Sequence, residues 1–200
     1  MASIRAIIGP MGSGKTTELL RMIDRHLIAG RRTVVVKPSL DTRSIGVSTH
    51  AHRLGCLQQP QGAASVPAIS LSRLADACDR EDVMSAAVVG IDEGQFFDDL
   101  ASGCESLAAA GKQVIVAGLS GDSERRGFRP VMELLPLCDS ITFLTAVCVR
   151  CGLDASFTAY AGTKETAVKV GDLGDYLPLC RRCYLSRLTT SAALPAAPQR

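Results

Sequence analysis

Tryptophan is absent from this 200-residue chain, and aromatic residues make up only 4% of it. Any aromatic that falls near a candidate site therefore carries information. An excess of one charge is also missing. The 22 Lys and Arg against 20 Asp and Glu leave a formal net charge of +2, too little to argue for nucleic acid or a membrane surface as partner. No run of about 18 apolar residues occurs, so no membrane-spanning helix is expected. The opening residues, Met1-Ala2-Ser3-Ile4-Arg5, lack the apolar stretch of a secretory signal. The expectation is a cytoplasmic protein with neither membrane nor nucleic acid as partner. No internal repeat is visible.

A hydrophobic fraction of 46% with 21% charged residues suits one core domain with a small appendage. Apolar runs alternate with helical patterns. Ile4 to Ile8 reads as a buried strand, followed by a glycine-rich turn. A helix then repeats Leu19, Leu20, Ile23, Leu27 and Ile28 on one face and stops at Gly30. Further strands are expected at Thr33 to Val36, Ala87 to Ile91, Val114 to Leu119 and Ile141 to Ala146. Phe97, Leu100, Ala101, Cys104, Leu107 and Ala108 mark a helix ended by Gly111, and Leu71 to Cys78 a short one. Between about Pro38 and Ser70 the chain is polar and irregular, with room for a hairpin, a length that usually signals function or mobility. Strand–helix alternation of this kind predicts an α/β fold, a parallel sheet covered by helices.

Gly9-Pro10-Met11-Gly12-Ser13-Gly14-Lys15-Thr16 fits the phosphate-loop pattern G-x-x-x-x-G-K-[ST], between a strand and an amphipathic helix. Glycines let successive N–H groups converge on phosphate oxygens, and the helix dipole adds attraction. Lys15 is placed to reach the β- and γ-phosphates of ATP, and Thr16 to put its hydroxyl on Mg²⁺. Downstream, Val88-Val89-Gly90-Ile91 delivers Asp92 and Glu93 to the strand end where ligands of open α/β sheets bind. Asp92 fits a Mg²⁺-holding role. Strand alternation turns Glu93 elsewhere, available as a base.

Eight cysteines without a secretory signal read as thiols or metal ligands rather than disulfides. Cys148-x-x-Cys151 and Cys180-x-x-Cys183, with 28 residues between the pairs, can wrap one tetrahedral Zn²⁺. A closed four-thiolate site is structural and contributes to folding. The remaining cysteines are scattered and read as ordinary thiols.

Taken with these motifs, Asp41-Thr42-Arg43, Glu18-Leu19, Asp92-Glu93-Gly94-Gln95-Phe96-Phe97 and Thr145-Ala146-Val147-Cys148 complete a pattern. Up to about Leu188 the chain resembles the type II thymidine kinases, the cytosolic and poxviral-like class. The resemblance implies a P-loop (RecA-like) sheet with a small C-terminal zinc-binding lobe and a loop called the lasso. It implies transfer of the γ-phosphoryl group of MgATP to the 5′-hydroxyl of thymidine or deoxyuridine, in nucleotide salvage. Glu93 then corresponds to the general base, and Asp41 and Arg43 to a pair at the phosphate-transfer region. Gln95 joins the nucleotide contacts. Met11, Phe96, Leu119, Phe128, Thr158 and Tyr176 correspond to the thymine pocket, and Val170-Gly171 to lasso backbone that reads the pyrimidine edge. Homotetramers and feedback inhibition by thymidine triphosphate are further implications. The implied division is a P-loop domain over 1–146, the zinc lobe with its lasso over 147–188, and a disordered tail over 189–200.

The chain departs from the family pattern after the fourth strand. Leu119-Ser120-Gly121-Asp122-Ser123 carries serines where the family shows an aspartate and an aromatic, and Gly127 replaces a proline. Lys169 and Tyr160 are also unusual choices. From the residues alone, two rivals stand beside the kinase. One is a nucleic-acid-stimulated ATPase, for which Arg125, Arg126 and Arg129 form a small basic cluster. The other is a non-catalytic nucleotide sensor. His50 and His52 have no assignment.

Overall fold

The computed structural model describes residues 1–40, 46–47, 66–161 and 175–189. The expectations for Asp41, Arg43, His50, His52, Lys169, Val170, Gly171 and the tail lie outside these residues. Strands form on the apolar, β-branched runs: β1 (Ser3–Gly9), β2 (Thr33–Pro38), β3 (Gly46–Val47), β4 (Val66–Leu71), β5 (Val88–Ile91), β6 (Gln113–Leu119) and β7 (Ser140–Phe143). Helices α1 (Lys15–Ile28), α2 (Glu81–Met84), α3 (Leu100–Ala109) and α4 (Arg129–Leu134) lie in the connections. The seven strands join one sheet in the order β3-β4-β2-β5-β6-β1-β7. Its six longer strands run parallel, and β3 pairs antiparallel at the edge.

The central strands of the sheet are buried on both faces because their residues alternate between two apolar layers. Ile4, Ala6, Ile8, Val36, Val89, Ile91, Val114 and Val116 pack with α3, α4 and the 3₁₀ segment Leu74–Asp79. Ile7, Val35, Val88, Ile115 and Ala117 pack with Leu19 and Ile23 of α1. At Gly90 a Cβ would lie 3.1 Å from Ile23 Cδ1 and 3.3 Å from Leu19 Cδ1. The missing side chain lets α1 settle closely on β5.

Four expectations are corrected. Leu27 and Ile28 are 48% and 87% exposed; α1 meets the sheet through Leu19 and Ile23, with Leu20 and Met22 partly buried beside them, and its last turn projects past the core. The span read as irregular ends in β4, whose Pro67 sits across from β3, while Val35 to Pro38 pair with Ala68 to Leu71. The helix expected from Phe97 begins at Leu100; Phe97 is fully buried but follows a 3₁₀ turn, Gly94–Phe96. The run from Ile141 to Ala146 is two strands, because its first half completes the main sheet and its second half enters another. The short helix α4 did not stand out in the sequence.

A second, smaller core lies at the C-terminal side. It comprises β8 (Ala146–Val147) paired with β9 (Asp154–Ala155), β10 (Phe157–Tyr160) paired with β11 (Tyr176–Leu179), and α5 (Arg181–Thr189). Ala146, Cys148, Ala155, Ala159, Leu179, Cys180, Cys183 and Tyr184 form its interior. Among the described residues, no helix is long and apolar enough to cross a membrane.

Candidate active site

β1 ends at Gly9, β5 at Ile91 and β6 at Leu119, three adjacent strands whose C-terminal ends share one edge of the sheet. The loop after β1 is shaped by glycines. Gly12 (φ 74°) and Gly14 (φ 83°) adopt left-handed backbone that disfavours other residues. Gly9 has no room for a side chain, because a Cβ would collide with the Leu144 carbonyl and the Ser13 hydroxyl. The Ser13 hydroxyl and the Lys15 ammonium both donate to the Pro10 carbonyl, at 2.8 and 2.7 Å. The Lys15 tip is enclosed. Burial draws its pKa down to about 8, opposed by the nearby carboxylates of Glu93 and Asp92.

The Thr16 hydroxyl, at the start of α1, reaches the two Asp92 carboxylate oxygens at 3.1 and 3.2 Å. Asp92 follows β5 directly, and its N–H donates to the Val36 carbonyl at 3.0 Å. Burial is the main cause that pushes its carboxyl up to about 7, and the neighbouring Glu93 charge adds to it. A hydroxyl and a buried carboxylate converging beside a lysine are hard oxygen donors of the type Mg²⁺ takes together with a triphosphate. The chemistry of the donor set therefore fits that ion.

Glu93 does not continue the strand. Its φ of 51° places it in left-handed backbone at the entry to the 3₁₀ turn, so its direction comes from a turn rather than from strand alternation. The Gln95 side-chain amide donates to Glu93 Oε2 at 2.6 Å and accepts from the Leu119 N–H at 3.0 Å. The Ser120 N–H in turn donates to the Gly9 carbonyl at 3.2 Å.

The thymine-pocket candidates divide between the two cores. Met11 lies in the loop, Phe96 in the turn, Leu119 at the end of β6, and Phe128 just before α4; each is half-buried. Thr158 of β10 is buried and accepts the Met11 N–H at 3.0 Å. Tyr176 opens β11 with its ring 5.4 Å from that of Tyr160, edge to face. At Gly127 a Cβ would lie 2.7 Å from Met132 Sδ, an exposed side chain that can move aside. Sequence reading missed Lys37, which is 2% exposed and adjoins Val36 on the same sheet edge. Its only signal was a lysine closing an apolar strand.

The sulfurs of Cys148, Cys151, Cys180 and Cys183 all lie within 4.8 Å of one another, with Cys151 and Cys180 at 3.6 Å. Four thiolates at Zn–S distances near 2.3 Å would stand about 3.8 Å apart in a tetrahedron, so the cluster fits Zn²⁺. Burial works against charge on Cys148, but backbone amides of Cys180, Arg150 and Cys151 outweigh it and bring the thiol to about 6. Burial and the other three sulfurs push Cys183 up to about 12. The scattered Cys78, Cys104 and Cys138 pack as thiols in or against the main core.

The basic cluster is occupied locally. Arg126 pairs with Asp122 and Glu124, and Arg129 with Glu133. The Arg125 guanidinium lies 4.6 Å from the Tyr184 ring centre. These arginines form no phosphate-tracking row.

The thymidine kinase family model matches residues 2–184. The cytosolic thymidine kinase of Cricetulus griseus is 39% identical over 196 residues, 98% of this chain and 77% of that protein. That of Homo sapiens is 38% identical over 193 residues, 96% and 77% of the two chains. The thymidine kinase of Variola virus is 39% identical over 183 residues, 91% of this chain and 96% of the viral one.

Proposed function

The chain belongs to the thymidine kinase family, and with that membership as premise we propose that it transfers the γ-phosphoryl group of ATP to the 5′-hydroxyl of thymidine, and of deoxyuridine, in nucleotide salvage. The observation that carries this reading is the meeting of the Thr16 hydroxyl with Asp92 at 3.1 Å, beside Lys15 and one residue before Glu93. It supports a triphosphate cradle and a proton acceptor facing one crevice. Transfer of this kind depends on positioning and charge stabilisation. The loop from Gly9 through Met11, Gly12, Ser13 and Gly14 holds phosphates with its N–H groups, and Lys15 neutralises their charge. Thr16 and Asp92 would hold Mg²⁺, which supplies further neutralisation of the phosphate oxygens when bound. Glu93 takes the proton of the 5′-hydroxyl.

Asp41 and Arg43 are proposed at the phosphate-transfer region, and Val170 and Gly171 at the pyrimidine edge, both by family correspondence. Met11, Phe96, Leu119, Phe128, Thr158 and Tyr176 wall the base. Zn²⁺ held by Cys148, Cys151, Cys180 and Cys183 would pin both ends of the segment that carries Thr158 and Tyr176. The proposed division is a P-loop domain up to about 146, with Ala146 itself already in the smaller core, a zinc lobe to 188 and a tail, in a cytoplasmic enzyme inhibited by thymidine triphosphate. The homotetramer is proposed by family correspondence; β7, an edge strand exposed along its length with Ile141 and Phe143 48% and 49% accessible, supports association with another chain.

The test is a phosphotransfer assay with MgATP against thymidine, deoxyuridine, deoxycytidine and purine deoxynucleosides. Monophosphate is expected from the first two. Glu93→Gln is expected to cut turnover by about 10²–10⁴-fold with modest change in nucleoside affinity; near-normal turnover would exclude Glu93 as the base. ATP hydrolysis stimulated by DNA, with no nucleoside phosphorylated, would overturn the whole reading.

A further inference from the structure

We infer that Gln95 is a positioning residue that aims the Glu93 carboxylate, and that its side chain is not a ligand of the nucleotide. The inference rests on the reading of Glu93 as the base. Glu93 stands outside regular structure, at φ 51°, so neither strand nor helix fixes where its carboxylate points. Gln95 fixes it from two residues away. The carboxamide orientation follows from chemistry, because the Leu119 N–H can only donate. Gln95 Oε1 must face it, at 3.0 Å, which leaves Nε2 to face Glu93 Oε2, at 2.6 Å. Reversed, the amide would set N–H against N–H and oxygen against carboxylate.

The surroundings keep the amide in place. Gln95 is 5% exposed. A Cβ on Gly118 would lie 3.3 Å from Gln95 Oε1, and one on Gly94 would lie 2.8 Å from Val116 Cγ1. Both glycines are thus fitted closely to the turn and to β6. The anchor itself is tied to the phosphate loop, since Ser120, next to Leu119, donates to the Gly9 carbonyl at 3.2 Å. A carboxylate referenced to the loop in this way keeps its distance from the phosphoryl donor, and angstrom-scale misplacement is costly in such a reaction.

The test is a double-mutant cycle in the full-length protein, reading kcat and the KM of ATP and of thymidine separately. Gln95→Leu removes both hydrogen bonds. It is expected to lower kcat about 10–100-fold, on the order of the cost of misplacing a reacting group by up to an ångström, with both KM values little changed. In the Glu93→Gln background the same change is expected to cost nothing further. Gln95→Glu, nearly isosteric, places a second acid against Glu93, and the acidic limb of the kcat–pH profile should move upward. A rise in the KM of ATP alone would make Gln95 a nucleotide ligand and overturn the inference. So would unchanged kcat in Gln95→Leu, or losses that multiply with those of Glu93→Gln. Full activity of Glu93→Gln sinks the base reading itself, whereas an inactive Glu93→Gln beside a fully active Gln95→Leu sinks only this one.

Discussion

Asp122 accepts hydrogen bonds from the backbone amides of Glu124 and Arg126 and from Arg126 Nε, each at 2.8 Å. It thereby organises the loop between β6 and α4, where the Ser123 carbonyl accepts the Tyr184 hydroxyl at 2.7 Å. Burial opposes its charge, but the amide and guanidinium donors of Arg126 and the amide of Glu124 outweigh it and hold the carboxyl below its ordinary value. The sign of the pH effect follows. A carboxyl depressed in the folded state stabilises above its unfolded pKa, and that contribution is lost as pH falls through the depressed value. Asp122→Ala is expected to destabilise by roughly 0.5–1.5 kcal/mol at neutral pH through loss of its hydrogen bonds to two exposed amides, the exposed Arg126 pair adding little. Urea unfolding of both proteins from neutral to acid should show the gap closing as pH drops. A gap that stays constant would mean that the carboxylate charge is not what holds the loop.

Gly103 lies in the middle of α3 against the 3₁₀ segment. An added Cβ would approach Leu74 Cγ, Cδ2 and Cβ at 2.7, 2.8 and 2.9 Å. Alanine gains about 1 kcal/mol of helix propensity over glycine, but overpacking costs about 1–3 kcal/mol. The clash includes Leu74 Cβ, which cannot swing aside, so Gly103→Ala should lower the thermal midpoint; a rise would show that the 3₁₀ segment yields. This contact also marks where the sequence stopped being legible. β1, β2, β5 and β6 could be read because fully buried parallel strands are continuous apolar runs. β4 could not, since Pro67 interrupts it and its pairing partner lies far upstream in β2. Ile141 to Ala146 could not be divided, because one apolar run serves two sheets. The phosphate loop, Asp92 and the C-x-x-C pairs were legible as local spacings. The Gln95 bridge to Leu119, the Thr158 hydroxyl on Met11 and the buried Lys37 were not, because each gains its meaning from contacts made only in the folded chain.

The molecule joins two cores of different origin. The main one is held by a double layer of aliphatic side chains, the smaller one by a few apolar residues and four thiols. So small a core rarely supplies enough burial to fold unaided, and the metal is proposed to make up the difference. Removal of zinc by a chelator is therefore expected to abolish thymidine binding while the P-loop core stays folded and still binds ATP. Calorimetry on the stripped protein, with its circular dichroism melt, checks this. Retained thymidine affinity in metal-free, folded protein would separate the lobe from nucleoside recognition.

The Met11 amide bonded to the Thr158 hydroxyl joins the loop after β1 to β10 in a single contact. If occupancy on one side shifts that bond, the two ligands become thermodynamically linked. Whatever factor a bound nucleoside applies to the ATP dissociation constant, ATP must apply in equal measure to the nucleoside's. A loop that grips phosphate would then also report, through one proton, whether the acceptor has arrived.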